Sequence, residues 1–346
     1  MAKSLAIKYR PATFDDVTEQ GAIKQILSQQ LNEGDMRNAY LFCGPAGCGK
    51  TTLARIFANE LNKGQGNPIE MDAASNSGVD DVRGIIEQAK TKSLDSEYKV
   101  FIIDEAHSIS NTGWQAFLKL IEEPPAKTIF IFATTDPQKI PKTILSRVQR
   151  YNIQKISQKG IVDRLKYILD TEYGADANYS DEGIEYIAKL AEGGMRDAIT
   201  YLDKCLAYSK SITIQNVVVA LGVADYDVLF DLVDAICDKK QAEILKIIED
   251  IHMSGKDLKQ FVKTFMNFLL DLSKYSLTKS YEYLNIPSTY SKRISAYDQC
   301  EFDIIQNILK SVIRLNADIK WETSPKSVIE ATLVFEVNGI GKSYSI

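Results

Sequence analysis

Hydrophobic positions follow two rhythms along this chain, and the change between them divides it. Up to about residue 150, short unbroken apolar runs alternate with stretches whose apolar residues recur every three or four positions. The runs Ala39-Tyr40-Leu41-Phe42-Cys43, Lys99-Val100-Phe101-Ile102-Ile103 and Thr128-Ile129-Phe130-Ile131-Phe132-Ala133 predict buried strands. Ile69-Glu70-Met71-Asp72 is a shorter strand candidate. Helices are predicted from Val79 to Lys92, with Ser77 or Gly78 near the start, and from Gly113 to Glu122, where Glu123-Pro124-Pro125 stops the helix. Strands joined by crossover helices predict a parallel α/β sheet covered on both faces.

Beyond Tyr151 the rhythm is helical. Segments from Ser157 to Leu221 carry a cap signal at Ser180-Asp181-Glu182 and an interruption at Gly193-Gly194. From about Val223 the stripes Phe230, Leu232, Val233, Ile236 and Phe261, Val262, Phe265, Phe268, Leu269 read as packed core rather than a cofactor box. A chain of 346 residues exceeds the size of most single cores. The expected division is therefore an α/β domain at 1–150, a small helical domain at 151–222 and an all-α domain at 223–346.

Composition narrows the class. No apolar run reaches the roughly 18 residues of a membrane span, and the N-terminus has no signal-peptide pattern, so a cytoplasmic location with no membrane partner is expected. Cys43, Cys48, Cys205, Cys237 and Cys300 form no Cys-x-x-Cys pair, which predicts reduced thiols without zinc or disulfides. The net charge of −5 is uneven: residues 1–150 carry 18 basic and 18 acidic side chains, and residues 151–346 carry 23 and 28. A lone DNA binder is expected to be basic, so any nucleic-acid contact must come from local groups or from several subunits together.

The chemistry is concentrated in two segments. Gly44-Pro45-Ala46-Gly47-Cys48-Gly49-Lys50-Thr51, followed by Thr52, is a complete phosphate loop set between a strand and a helix. Its glycines let backbone N–H groups surround phosphates, Lys50 adds charge, and Thr51 offers a hydroxyl to Mg²⁺. Asp104, ending a buried strand, is placed to hold Mg²⁺, and Glu105 to polarise water. Thr134 and Thr135 follow the next strand, where either hydroxyl is a candidate γ-phosphate contact. Cys48 reads as a small filler within the loop.

With these elements in order, the chain resembles the clamp-loader ATPases of the bacterial DNA polymerase III gamma/tau family, within the AAA+ P-loop NTPases. The resemblance is carried by Lys8-Tyr9-Arg10-Pro11, Phe14-Asp15-Asp16-Val17, the phosphate loop and the segment from Asp72 to Arg83. It continues through Ile103-Asp104-Glu105-Ala106-His107, Leu120-Ile121-Glu122-Glu123-Pro124-Pro125, the segment from Ala133 to Pro141, and Leu145-Ser146-Arg147. It implies ATP and Mg²⁺ as ligands, with Tyr9, Arg10, Pro11 and Val17 at the adenine and Lys50, Thr51 and Asp104 at phosphate and metal. Glu105 would activate water. Thr135 and Arg196 would sense the γ-phosphate, and Arg147 would reach as a finger into a neighbouring subunit's site. The resemblance makes residues 1–150 the nucleotide-binding domain, 151–222 the lid and 223–346 the oligomerising collar. It implies as partners other loader subunits in a pentamer, a sliding clamp, primer–template DNA and DNA polymerase.

Two departures limit the likeness. Asn62-Lys63-Gly64-Gln65-Gly66-Asn67-Pro68 stands where relatives carry a four-cysteine zinc module, so zinc is not carried over. Val148 replaces the cysteine of the family's Ser-Arg-Cys motif, leaving Arg147 intact. The chain also ends without the family's long extension, so contacts made by that extension are not inferred. Helix starts at Ser77 to Arg83 and Asn111 to Trp114 are the implied DNA-phosphate contacts. Two rival readings are another AAA+ motor, such as a Holliday-junction helicase, and a structural loader subunit without hydrolysis.

Overall fold

A computed structural model describes residues 4–75, 79–93, 95–222, 226–255, 257–287, 290–297, 299–319 and 321–336. The chain divides into two compact units, Met1–Ile212 and Thr213–Ile346.

In the first unit, β1 (Ala39–Cys43), β2 (Ile69–Asp72), β3 (Lys99–Asp104), β4 (Thr128–Thr134) and β5 (Gln149–Asn152) form one sheet in the order β2-β3-β4-β1-β5. Every pairing in it is parallel. Helices α1 (Leu5–Lys8), α2 (Gly21–Glu33), α3 (Lys50–Leu61), α4 (Val79–Ala89), α5 (Asn111–Glu122) and α6 (Lys142–Leu145) belong to the same part of the chain. Side chains alternate across a strand, so the unbroken apolar runs require cover on both faces. Leu41, Phe101, Ile103, Phe130 and Phe132 share a core with Val82 and Ile85 of α4 and with Trp114 and Phe117 of α5. Tyr40, Phe42, Val100, Ile102, Ile129 and Ile131 share the other with Ile23 and Leu27 of α2 and with Leu53 and Phe57 of α3.

Some ends differ from expectation. Helix α4 stops at Ala89 rather than Lys92, and its expected start at Ser77 or Gly78 lies outside the described residues. Helix α5 begins at Asn111, where Ser110 Oγ accepts the Gly113 N–H at 3.2 Å. Strand β5 was not expected at all, and the boundary placed at residue 150 falls inside it. Its pairing with β1 ties residues 149–152 to the sheet.

The same unit continues with α7 (Gln158–Tyr173), α8 (Asp181–Leu190) and α9 (Met195–Tyr208). Ser157 and Ser180 cap α7 and α8 by accepting the N–H groups of Gly160 and Gly183. Strand β6 (Asn178–Tyr179), between α7 and α8, and β7 (Ser211–Ile212), after α9, form a parallel pair too short for periodicity to reveal. The second unit starts at Thr213, before the expected 223, and so includes α10 (Ile214–Leu221).

The second unit continues with α11 (Tyr226–Cys237), α12 (Gln241–Met253), α13 (Leu258–Thr278), α14 (Ser291–Ser295), α15 (Gln299–Asp318) and α16 (Pro325–Glu330), then a π-helical stretch Ala331–Glu336. Phe230, Phe265, Phe268, Phe302 and Ile305 lie in one apolar core. Buried Asp271 is satisfied there by Lys274 Nζ at 3.0 Å and the Asn285 N–H at 2.5 Å.

Candidate nucleotide site

Parallel strands put all their C-terminal ends on one edge, the usual ligand edge of an open α/β sheet. Here β1 runs into the phosphate loop, β3 into Asp104-Glu105 and β4 into Thr134-Thr135, with β4 between the other two. Glycine is required in the loop for two distinct reasons. A Cβ on Gly44 would lie 2.3 Å from the Ile153 carbonyl oxygen, just past β5. Gly47 has φ +72°, and a Cβ there would lie 3.2 Å from Gly194 Cα. The Arg196 N–H donates to the Gly47 carbonyl at 3.4 Å, so the start of α9 rests directly on the loop. We expect Gly44→Ala to cost about 1–3 kcal/mol, because the collision is with backbone and cannot be relieved by a rotamer. Urea unfolding measures this; unchanged stability would show that β5 can move aside.

Lys50 Nζ donates to the carbonyls of Gly44 at 2.9 Å and Pro45 at 2.8 Å. Burial pushes the Lys50 ammonium below lysine's ordinary range, while Glu105 and Asp104 oppose that shift. Thr51 Oγ1 donates to Asp104 Oδ2 at 2.6 Å, and Asp104 Oδ1 accepts the Glu105 N–H at 2.9 Å. A hydroxyl and a carboxylate side by side suit a hard cation such as Mg²⁺. Glu105 has φ +47°, an uncommon left-handed conformation for a side-chain-bearing residue. Its Oε2 accepts from Thr135 Oγ1 at 3.3 Å and lies 3.3 Å from His107 Nδ1. The same His107 nitrogen is 3.2 Å from the hydroxyl of fully buried Thr134.

These groups border a cavity of about 200 Å³. Tyr9, Arg10, Pro11 and Val17 line it together with Ala46, Gly47, Cys48, Gly49, Lys50, Thr51, Thr52, Asp104, Glu105 and Arg196. Ala6, Thr18, Ile156, Arg164, Met195 and Ile199 also line it, and sequence reasoning missed them. Arg164 Nη2 donates to the Tyr9 carbonyl at 3.1 Å, and its guanidinium lies over the Tyr167 ring. Tyr9 Oη and Lys8 Nζ both donate to Glu172. Burial, reinforced by that carboxylate, pushes the Tyr9 phenol up to about 12. Two residues of α7 thus fix the segment that closes one side of the cavity.

Other expected site residues lie elsewhere. Gly44 and Pro45 do not line the cavity; their carbonyls hold Lys50. Thr135 meets Glu105 instead of lining the cavity. Arg147 is also absent from it, and its guanidinium pairs with Glu122. Cys48 is buried, with its Sγ 3.5 Å from the carbonyls of Ala46 and Gly193, and burial pushes its thiol up. It fills space and is a poor nucleophile. Among the described residues, no three His, Cys, Asp or Glu side chains gather as a metal site, and no helix is long and apolar enough to cross a membrane.

Comparison with known proteins identifies the context of this site. A family profile for the DNA polymerase III delta subunit matches residues 67–157, and one for the DNA polymerase III clamp loader subunit ATPase lid domain matches 160–211. A third, for domain III of DNA polymerase III subunits gamma and tau, matches 212–334. DNA polymerase III subunit tau of Bacillus subtilis is 33% identical over 355 residues, covering 94% of this chain and 62% of that protein. The gamma/tau subunit of Mycobacterium tuberculosis is 36% identical over 290 residues, covering 77% and 50%. This chain belongs to the DNA polymerase III gamma/tau family. It spans about half to three fifths of the length of these gamma/tau relatives. The lid and domain III profiles meet at residues 211 and 212, beside the structural division at Ile212. Among solved structures, Thermotoga maritima RuvB, titled a Holliday junction branch migration motor, aligns with a TM-score of 0.51 at 22% identity. The alignment covers 66% of this chain and 79% of that one, and establishes a shared fold.

Proposed function

We propose that this chain is the ATP-hydrolysing subunit of a DNA-polymerase clamp loader. One observation carries the reading. A single cavity is bordered by the phosphate loop, by Asp104 and Glu105, and by Arg196 from α9, while the candidate finger Arg147 lies outside it. Such a site binds a nucleoside triphosphate but lacks one source of positive charge for phosphoryl transfer, which a neighbouring copy supplies.

In this reading, Tyr9, Arg10, Pro11 and Val17 enclose the adenine. Backbone N–H groups of residues 46–51 and the Lys50 ammonium hold the β- and γ-phosphates. Thr51 and Asp104 hold Mg²⁺, which when bound neutralises phosphate charge. Glu105 orients a water and accepts its proton as the water oxygen bonds to the γ-phosphorus. The bond from that phosphorus to the β–γ bridging oxygen breaks, giving ADP and phosphate. Thr135 and Arg196 report the γ-phosphate, and Arg147 completes an adjacent copy's site.

ATP binding then organises five subunits to open a ring-shaped clamp in the cytoplasm. Primer–template DNA triggers hydrolysis and release of the clamp to DNA polymerase. We assign the nucleotide-binding part to residues up to the end of β5, the lid to the remainder of the first unit and the oligomerising collar to the second. The DNA-contact reading retains Arg83 and the start of α5, while its Ser77-Gly78 portion lies outside the described residues.

The test is steady-state ATP turnover of the full chain with its partner subunits, with and without clamp and primed DNA. Stimulation requiring both is expected. Turnover indifferent to the clamp favours another AAA+ motor, and no turnover under any condition favours a structural subunit.

A further inference from the structure

The Leu120-Ile121-Glu122-Glu123-Pro124-Pro125 segment belongs to the family likeness, yet the hydrolytic reading gives it no role. Arg147 supplies one. Its Nη2 lies 2.8 Å from Glu122 Oε1, and its Nη1 donates to the Thr143 carbonyl at 2.8 Å and to Ser146 Oγ at 3.0 Å. We propose that Glu122 is the positioning residue for Arg147, holding the guanidinium in the orientation in which it serves a neighbouring copy. This rests on the composite-site reading above.

The anchors belong to a stiff platform. Glu122 is the last residue of α5, whose Phe117 and Ile121 are buried in the same core as Ile140 and Ile144. The Arg147 N–H donates to the Ile144 carbonyl at 2.9 Å, which ties the backbone before β5 to that core. Pro124 and Pro125 cannot extend α5, so Glu122 stays at its end. An arginine carries five N–H donors in a planar fork, and the three contacts set the plane of that fork while leaving donors for an anion.

Stability is a poor explanation for the pair. Arg147 and Glu122 side chains are 40% and 42% exposed, and ion pairs that open to water contribute little to folding. Orientation is the better one, because a flexible arginine ordered in advance loses less freedom when it meets its target.

A complementation experiment tests this. Oligomers are mixed from two forms of the full chain, one carrying Arg147→Ala and the other Lys50→Ala. The productive site then combines the first form's loop with the second form's finger. Adding Glu122→Gln to the second form is expected to lower kcat about tenfold with KM unchanged, since misplacement of a catalytic group acts on rate. Thermal unfolding of the Glu122→Gln form is expected to match its parent. Unchanged kcat, or an increase, overturns the assignment, provided that Arg147→Ala in the second form silences the mixture. If Arg147→Ala there has no effect, the composite site itself fails and this inference with it.

Discussion

Arg147→Ala is expected to lower ATP turnover of assembled complexes by at least about 1,000-fold, the range seen when an arginine finger is withdrawn from a phosphoryl-transfer site. Nucleotide affinity of the separate chain is expected to stay unchanged, because Arg147 does not line the chain's own cavity. That split distinguishes a finger acting across an interface from a residue that binds ATP in its own subunit. Lysine is expected to restore little, since a point charge lacks the planar fork. Single-turnover hydrolysis in the complex and a fluorescent-nucleotide titration of the separate chain check both halves. Weakened nucleotide binding by the separate variant would count against action from outside the cavity.

Glu105→Gln is expected to reduce the hydrolytic step by about 100- to 10,000-fold, the ordinary contribution of a positioned general base. The replacement is isosteric, so contacts of 3.3 Å to Thr135 and His107 can persist with a neutral partner. Lys50 keeps its two loop carbonyls and Asp104 keeps Thr51, and nucleotide affinity is therefore expected to survive. Rapid-quench measurement of phosphate formation, beside equilibrium binding, separates the two quantities. A variant that hydrolyses normally would remove Glu105 from the chemistry and leave it as a structural contact of Thr135 and His107.

Legibility in the sequence followed burial. Strands β1 and β4 are buried along their whole length, so their runs of apolar residues stand out. Strand β5 is Gln149-Arg150-Tyr151-Asn152 at the sheet edge, where only Tyr151 is buried, and it offers no run to detect. The phosphate loop and Asp104-Glu105 are local motifs fixed by chain geometry. The wall formed by Ile156, Arg164, Met195 and Ile199 comes from residues distant in sequence, each unremarkable on its own helix or loop. Tyr9 is legible only through family resemblance, and its anchoring by Arg164 and Glu172 is a tertiary fact. Glu122 beside Arg147 is of the same kind, since the two residues sit on separate elements.

Main chain comes close to main chain where the α8–α9 turn meets the β1 turn: a Cβ on Gly47 would lie 3.2 Å from Gly194 Cα, with the Asp197 carboxylate already beside it. A joint of that kind has little slack: a shift of the turn after β1 by a fraction of an ångström would swing α9 rather than be absorbed by repacking. A small displacement of the loop would thereby become an angular one of α9, and the lever for that amplification is a pair of glycines whose missing side chains let the two turns meet.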